Sequence, residues 1–220
     1  MLLPKSTVGR KLLMAFTGQV MILFIVFHVL GNSTVYFSTI NAYAAGLRAV
    51  PYLVWPVRLV LAVLFVLHVV YGIIVTLENR ASRPQRTVIE HQRSTIAGRT
   101  MIWTGTLIGL FLVYHLLHFT VQVTNPEIAA LQNADALGRP DVFLMMMESF
   151  QEYGIVALYA VGLIALGLHL FHGIQSSLQT WGLNSDRSFP LVTNGGMIAA
   201  VIIFLGYVAI PFVIVLGVLR

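Results

Sequence analysis

The chain has 220 residues, of which 58% are hydrophobic and only 10% are charged, and this composition excludes an ordinary soluble domain. Its formal net charge of +5 comes from residues in short loops between apolar stretches, so it reflects membrane topology and not nucleic-acid binding. The chain contains no cysteine, which excludes disulfides, iron–sulfur clusters and any other thiolate-held metal group.

Five uncharged apolar runs follow one another, and each is long enough to cross a bilayer as a helix, which takes about 20 residues. We predict spans near residues 13–35, 57–78, 101–123, 152–178 and 194–217. The expected fold is therefore all-α: a five-helix membrane bundle that forms a single transmembrane domain over residues 1–220. No repeat is obvious at the residue level.

The loops predict the orientation in the membrane. Nine Lys and Arg residues lie on the side shared by the N-terminus and the second and fourth loops, and four lie on the other side. The N-terminus is therefore expected inside and the C-terminus outside. The inner loop 79–99 is rich in arginine and is typical of a docking loop. The outer segment 124–150 begins with Asn125-Pro126-Glu127, which favours the start of a helix, and it contains the apolar stretch 142–147. We expect short helices that lie along the outer surface.

Four of the apolar runs carry a histidine at middle depth, namely His28, His68, His115 and His169. An imidazole in the hydrocarbon layer is costly, and it is usually there because something binds it. With a helical rise of about 1.5 Å per residue, His28 and His115 lie roughly 20 Å from the inner face, and His68 and His169 lie roughly 14–15 Å from it. The depths therefore predict an outer and an inner pair, the arrangement that could hold two haems inside a helical bundle.

Two further histidines leave the ligand choice open at this point. His118 and His172 each lie three residues beyond a candidate ligand on nearly the same helical face, and depth does not separate them. A hydrogen-bonded core residue is the ordinary alternative for any single membrane histidine. Gly72 and Gly173 each follow an inner-pair histidine by four residues and offer the small neighbour that a flat macrocycle needs, although helix packing explains them equally well.

The residues around these histidines form the stretches 27–32, 68–72, 114–118 and 169–173, with 141–151 and 179–182 beside them. Together they resemble the cytochrome b subunit of succinate:quinone oxidoreductases, in the single-chain, five-helix, two-haem type that includes quinol:fumarate reductases. The resemblance spans nearly the whole chain. It implies that His28 and His115 ligate a distal haem b near the outer face, and that His68 and His169 ligate a proximal haem b near the inner face.

The resemblance also implies a role and partners. The chain would be the haem- and quinone-binding subunit of the enzyme, with no catalytic residue or dicarboxylate site of its own. It would lie in the inner membrane of a prokaryote, in contact with lipid. An iron–sulfur subunit and an FAD-bearing flavoprotein would dock on the inner face, and menaquinone is the expected quinone. The candidate partners of the haem propionates are Lys11, Arg93, Arg99 and His172. The candidates for a quinone site near the outer haem are Tyr36, Trp55, His118, Glu148 and Glu152.

One position departs from the family pattern. Some fumarate reductases of this type carry a glutamate two residues before the fourth-helix ligand, where it serves transmembrane proton movement, and here that position is Gly167. No Asp or Glu lies deep in any predicted span, so we do not expect a carboxylate proton path.

Two other functions remain open. A two-haem anchor of a hydrogenase or formate dehydrogenase would keep the histidine pairs and change the soluble partners. A haem-free structural anchor or a transporter would not bind haem, and the chain lacks the inverted repeats and broken, charged helices that are typical of transporters.

Overall fold

The computed structural model describes residues 5–82, 96–183 and 185–219, and within these ranges the regular structure is helical, with no strand. Short 3-10 helices cover Ser33–Phe37 and Pro126–Ile128, and a π-helical segment, Leu116–Val121, continues α5. The α-helices are α1 (Thr7–Asn32), α2 (Ile40–Arg48), α3 (Pro51–Ala81), α4 (Ile96–Arg99), α5 (Met101–His115), α6 (Val142–Gln151), α7 (Tyr153–Thr180) and α8 (Phe189–Val215).

Among the described residues, five helices are long and apolar enough to cross a membrane: Thr7–Phe37, Pro51–Ala81, Met101–Val121, Tyr153–Thr180 and Phe189–Val215. The predicted all-α fold with five spanning helices is confirmed. Only helices suit this role here, because lipid offers no partners to backbone N–H and C=O groups. The first two helices begin about six residues before the predicted spans. The prediction started each span near a charged residue, Lys11 or Arg58, whereas the helical backbone continues through both.

Local signals explain where several helices start. The Ser6 hydroxyl accepts a hydrogen bond from the Gly9 N–H at 3.0 Å and so caps α1. Pro51 is the first residue of α3, where the missing N–H costs nothing. The carboxylate of Asp141 accepts the N–H of Leu144 at 2.9 Å and caps α6.

The chain forms two compact units. The first unit comprises Met1–Phe24, Leu59–Thr106 and Ala165–Ile202, and the second comprises Ile25–Arg58, Leu107–Ile164 and Ile203–Arg220. In the first unit, Arg10 on α1 forms an ion pair with Glu78 on α3. Many large apolar side chains in both units are exposed, such as Leu23 at 57% and Leu110 at 66%. Such exposure is expected of helices whose outer surface faces lipid.

The second unit contains a cluster of buried side chains. It draws together residues from the 3-10 helix after α1 and from α2, α6, α7 and α8, namely Val35, Ile40, Met146, Met147, Phe150, Val156, Tyr159, Ile210 and Ile214. The sequence predicted short helices along the outer surface, but α6 also contributes side chains to this buried cluster. Its residues Met145–Met147 and Phe150 are buried, because three consecutive methionines can fill an irregular core.

Asn41 on α2 holds the segment before α6 in place. Its amide donates to Asp141 at 2.9 Å and accepts the N–H of Phe143 at 2.8 Å. In the loop before α6, the Arg139 guanidinium donates to the Asp135 carboxylate at 2.8 Å and lowers the pKa of Asp135 to about 2. This carboxylate therefore stays ionised, and its hydrogen bonds stay intact, at any pH above its lowered pKa.

Candidate functional site

In the first unit, the side chains of His68 on α3 and His169 on α7 face each other. Their ring centroids are 6.3 Å apart, and the ring planes are inclined by 65°. Each ring is partly buried within an otherwise apolar stretch of helix. The two histidines that the sequence assigns to the inner pair are therefore neighbours in space, and ligation of a haem between them stays a prediction.

In the second unit, His28 on α1 and His115 on α5 form a second pair. Their ring centroids are 5.9 Å apart and the planes are nearly perpendicular, at 89°. Tyr207 on α8 packs beside His28, with ring centroids 6.2 Å apart. The Asn32 side-chain amide lies 3.2 Å from Nε2 of His28, one helical turn along α1. These are the two histidines of the predicted outer pair.

In both pairs the separation of the ring centroids matches that of a bis-imidazole metal site. Two metal–nitrogen bonds of about 2 Å, added to the distance from each ligating nitrogen to its ring centre, give a centroid separation of about 6 Å. The observed separations are 6.3 Å and 5.9 Å. The described residues hold no group of three or more His, Cys, Asp or Glu side chains that could bind a metal ion. Two facing histidines suit a metal whose other ligands come from a macrocycle, so the residues fit haem iron.

Threonine and glycine residues surround the His68–His169 pair. The Thr17 hydroxyl lies 3.1 Å from Nδ1 of His68, and the Thr104 hydroxyl lies 3.1 Å from Nδ1 of His169. A Cβ added at Gly18 would come within 3.1 Å of the His68 ring. The sequence did not point to these three residues. At the predicted small neighbour Gly173, by contrast, an added Cβ would meet no described atom within 4 Å.

A buried polar network surrounds His115 in the second unit. The Tyr159 hydroxyl on α7 lies 3.3 Å from Nδ1 of His115 and 3.0 Å from Nδ1 of His118, and Nε2 of His118 lies 3.1 Å from the Ser149 hydroxyl. His118 is 2% exposed and Ser149 is fully buried. Both nitrogens of His118 therefore have protein partners, which favours His115 over His118 as the metal ligand.

The backbone separates the two histidines. His115 is the last residue of α5, and His118 lies in the π-helical segment that follows, which widens the turn between them. An ordinary helix would put residues three apart on nearly one face. The widening lets His118 point toward Ser149 on α6 while His115 stays beside His28.

Replacing Tyr159 with phenylalanine tests this network. The substitution removes the hydroxyl that lies beside Nδ1 of both His115 and His118, and a buried polar group without a partner costs about 1–3 kcal/mol. We expect lower thermal stability and an altered spectrum of the haem that His28 and His115 are predicted to ligate, with the other predicted haem unchanged. Optical and EPR spectra of the purified variant measure this. The control is Tyr153→Phe on the same helix, because the Tyr153 side chain is 79% exposed. Equal behaviour of the two variants would contradict the assignment.

The candidate propionate partners lie at several positions. Lys11 is exposed on α1, Arg99 is exposed at the end of α4, and His172 is partly exposed one turn after His169. Arg93 lies outside the described residues. Their roles stay predictions.

The five candidate quinone residues do not share one set of neighbours. His118 is bound to Tyr159 and Ser149, whereas the Trp55 ring, 58% exposed, packs under the Arg58 guanidinium at 5.2 Å. Tyr36 is 38% exposed in the 3-10 helix after α1, and Glu152 is exposed at the end of α6. Glu148 lines a described cavity of about 560 Å³, together with Met147, Phe143 and Ile214. A quinone site at any of the five residues stays a prediction.

A short direct repeat relates the helices that carry the histidines. Residues 14–18 read Met-Ala-Phe-Thr-Gly and residues 101–105 read Met-Ile-Trp-Thr-Gly. His28 follows the first methionine by the same interval as His115 follows the second, and both histidines lie within apolar runs. His68 and His169 are likewise each followed, four residues later, by Gly-Ile. An alignment of the chain with itself would have revealed the repeat.

Comparison with known proteins identifies the family of the chain. Residues 76–205, more than half of the chain, match the model of the family described as succinate dehydrogenase/fumarate reductase transmembrane subunit. Searches of the curated proteins and of the solved structures found no match. The matched segment includes His115 and His169, one histidine of each facing pair. The chain belongs to the succinate dehydrogenase/fumarate reductase transmembrane subunit family.

Proposed function

We propose that the chain is the two-haem cytochrome b anchor of a succinate dehydrogenase or fumarate reductase. The observation that carries the proposal is the presence of two facing histidine pairs, each drawn from two separate membrane helices, at centroid separations of 5.9 Å and 6.3 Å. His28 with His115 would ligate one haem b, and His68 with His169 the other. Family membership supports the role of membrane anchor.

The residues of the chain would give each haem its ligands, its orientation and its dielectric surroundings. When bound, a haem supplies a carrier that accepts and donates one electron at a time. The four imidazoles would hold the two haem irons, and the hydroxyl groups of Thr17, Thr104 and Tyr159, which lie beside Nδ1 of His68, His169 and His115, would orient three of these rings. The apolar side chains of the helices keep water from the ligands, which influences the reduction potential.

The proposed electron path joins quinone in the membrane to partner subunits on the inner face. The arginine-rich inner side suits docking of an iron–sulfur subunit, with a flavoprotein bearing FAD beyond it. Among the quinone candidates we favour Glu148, because it lines a cavity beside Phe143, Met147 and Ile214 and its carboxylate could accept a proton from a quinol hydroxyl. Menaquinone as the substrate and the inner membrane of a prokaryote as the location belong to the same proposal, as does a single transmembrane domain.

Purification of the chain with its native partners in mild detergent tests the proposed function. We expect a flavin-bearing subunit with succinate or fumarate activity to copurify, and haem extraction to give two haems b per chain. Hydrogenase or formate dehydrogenase subunits in the complex would support the alternative anchor instead. A preparation with no Soret absorbance would contradict haem binding altogether.

A further inference from the structure

The Nδ1 atoms of His68 and His169 have matching surroundings. Nδ1 of His68 lies 3.1 Å from the Thr17 hydroxyl and 3.1 Å from the Met14 carbonyl oxygen. Nδ1 of His169 lies 3.1 Å from the Thr104 hydroxyl, and this histidine also has a backbone hydrogen bond with Met101. Thr17 and Met14 on α1 thus correspond to Thr104 and Met101 on α5, in the same positions of the repeated Met-x-aromatic-Thr-Gly segment.

The hydrogen-bond chemistry determines which ring nitrogen carries the proton. A carbonyl oxygen only accepts, so Nδ1 of His68 must donate to Met14 and therefore carries hydrogen. The Thr17 hydroxyl directs its own hydrogen to the carbonyls of Leu13 and Met14, at 2.9 Å and 3.0 Å, and its lone pair then faces the histidine. Thr104 does the same with the carbonyls of Thr100 and Met101, each at 3.1 Å. In both rings Nε2 is left as the unprotonated nitrogen that can bind a metal.

Each threonine is followed by a glycine that lies against the same ring. A Cβ at Gly18 would be 3.1 Å from Cε1 of His68, and a Cβ at Gly105 would be 3.4 Å from Cε1 of His169. Each Thr-Gly pair therefore contacts its histidine in two ways. The threonine hydroxyl forms a hydrogen bond with Nδ1, and the glycine, which has no side chain, leaves space for the edge of the imidazole ring. Thr17 and Thr104 are themselves buried, at 2% and 5% exposure, so water does not compete for these hydrogen bonds.

We propose that Thr17 and Thr104 are a matched pair of positioning residues that set His68 and His169 as Nε2 ligands and lower the reduction potential of the iron between them. This inference rests on the proposed haem ligation. An acceptor at Nδ1 makes the imidazole a stronger donor, and a stronger donor favours ferric iron. The effect is specific to one haem, because Nδ1 of His115 lies beside Tyr159 instead.

Substitution of each threonine by valine tests the inference in the purified complex. Valine keeps the shape and removes the hydroxyl. We expect Thr17→Val and Thr104→Val to retain both haems and to move the midpoint potential of one haem, the one lost in His68→Ala, to more positive values. Redox titration of the haem absorbance measures the potential, and EPR of the oxidised complex reports the change at the ligands. The double variant should shift further than either single variant.

Two controls separate the inference from a structural effect and from failure of the proposed function. Thr17→Ser restores the hydroxyl and should return the potential to the wild-type value, even if Thr17→Val binds haem poorly. Thr106→Val on α5 removes an exposed hydroxyl that bonds only to its own helix in the described structure, at 2.8 Å from the Ile102 carbonyl, and should change nothing. Unchanged potentials in both valine variants, or a serine variant that shifts as valine does, would overturn the inference. Retention of both haems in His68→Ala would instead reject the proposed function.

Discussion

We expect that replacing His68 or His169 with alanine removes the same haem, and that replacing His28 or His115 removes the other. The two histidines of each proposed site lie on different helices, so the loss of either imidazole would remove one of the two bonds that hold the haem iron to the protein. Haem content should fall by half in each variant. Reduced-minus-oxidised spectra should show one component missing, identical within a pair and different between pairs. Haem extraction and optical spectra on the four variants are the measurement.

Two neighbouring histidines serve as matched controls for these variants. His172→Ala and His118→Asn change histidines on the same helices, three residues from a proposed ligand, and both should keep two haems. Asparagine is chosen at position 118 because Tyr159 and Ser149 need a polar partner there. Loss of a haem in His118→Asn together with retention in His115→Ala would show that His118 is the ligand. Loss of different haems in His68→Ala and His169→Ala would show that the pairing is wrong.

Replacing Gly162 with alanine should disturb the His28–His115 pair although residue 162 is not a ligand. Gly162 is buried on α7, and a Cβ at this position would overlap the ring of Phe111 on α5. That ring contacts both His115 and Tyr159, with centroid distances of 5.9 Å and 5.1 Å. Because Cγ of the ring is itself too close, the whole side chain must move. Overpacking of this kind costs about 1–3 kcal/mol. We expect a lower melting temperature and partial loss of the haem that His28→Ala loses.

Gly154→Ala on the same helix is the control for this experiment. A Cβ at Gly154 would meet no described atom within 4 Å, so the substitution adds helix propensity without a clash. Its melting temperature and haem content should equal or exceed those of the unchanged protein. If Gly162→Ala matched this control in both measurements, Phe111 would have room to move and the packing argument would fail.

The spanning helices could be predicted from sequence because lipid simplifies the problem. A bilayer requires about 20 apolar residues and tolerates few charges, so uncharged runs mark the helices directly. Because each run crosses the bilayer as a helix with a constant rise per residue, the depth of each histidine could be estimated. The histidines paired by depth alone are neighbours in the structure. The ends of the helices were less predictable, since a helix continues through Arg58 once its side chain can reach the interface.

The parts that the sequence did not predict depend on contacts between distant residues. The role of the buried Asn41 on α2 depends on its hydrogen bonds with Asp141 and Phe143, which lie about 100 residues away in the sequence. The sequence predicts that the methionines of α6 lie at the outer surface, whereas the structure buries them. Thr17 and Thr104 look like ordinary helix residues, because nothing local shows that a histidine on another helix faces each hydroxyl.

The direct repeat makes the two halves of the chain depend on each other. Each facing pair takes one histidine from the first copy, which supplies His28 and His68, and one from the second, which supplies His115 and His169. A chain shortened to one copy would lose both bis-imidazole sites, whereas a cut at one end would spare one of them. Removal of α7 and α8 would keep His28 and His115, and removal of α1 would keep His68 and His169.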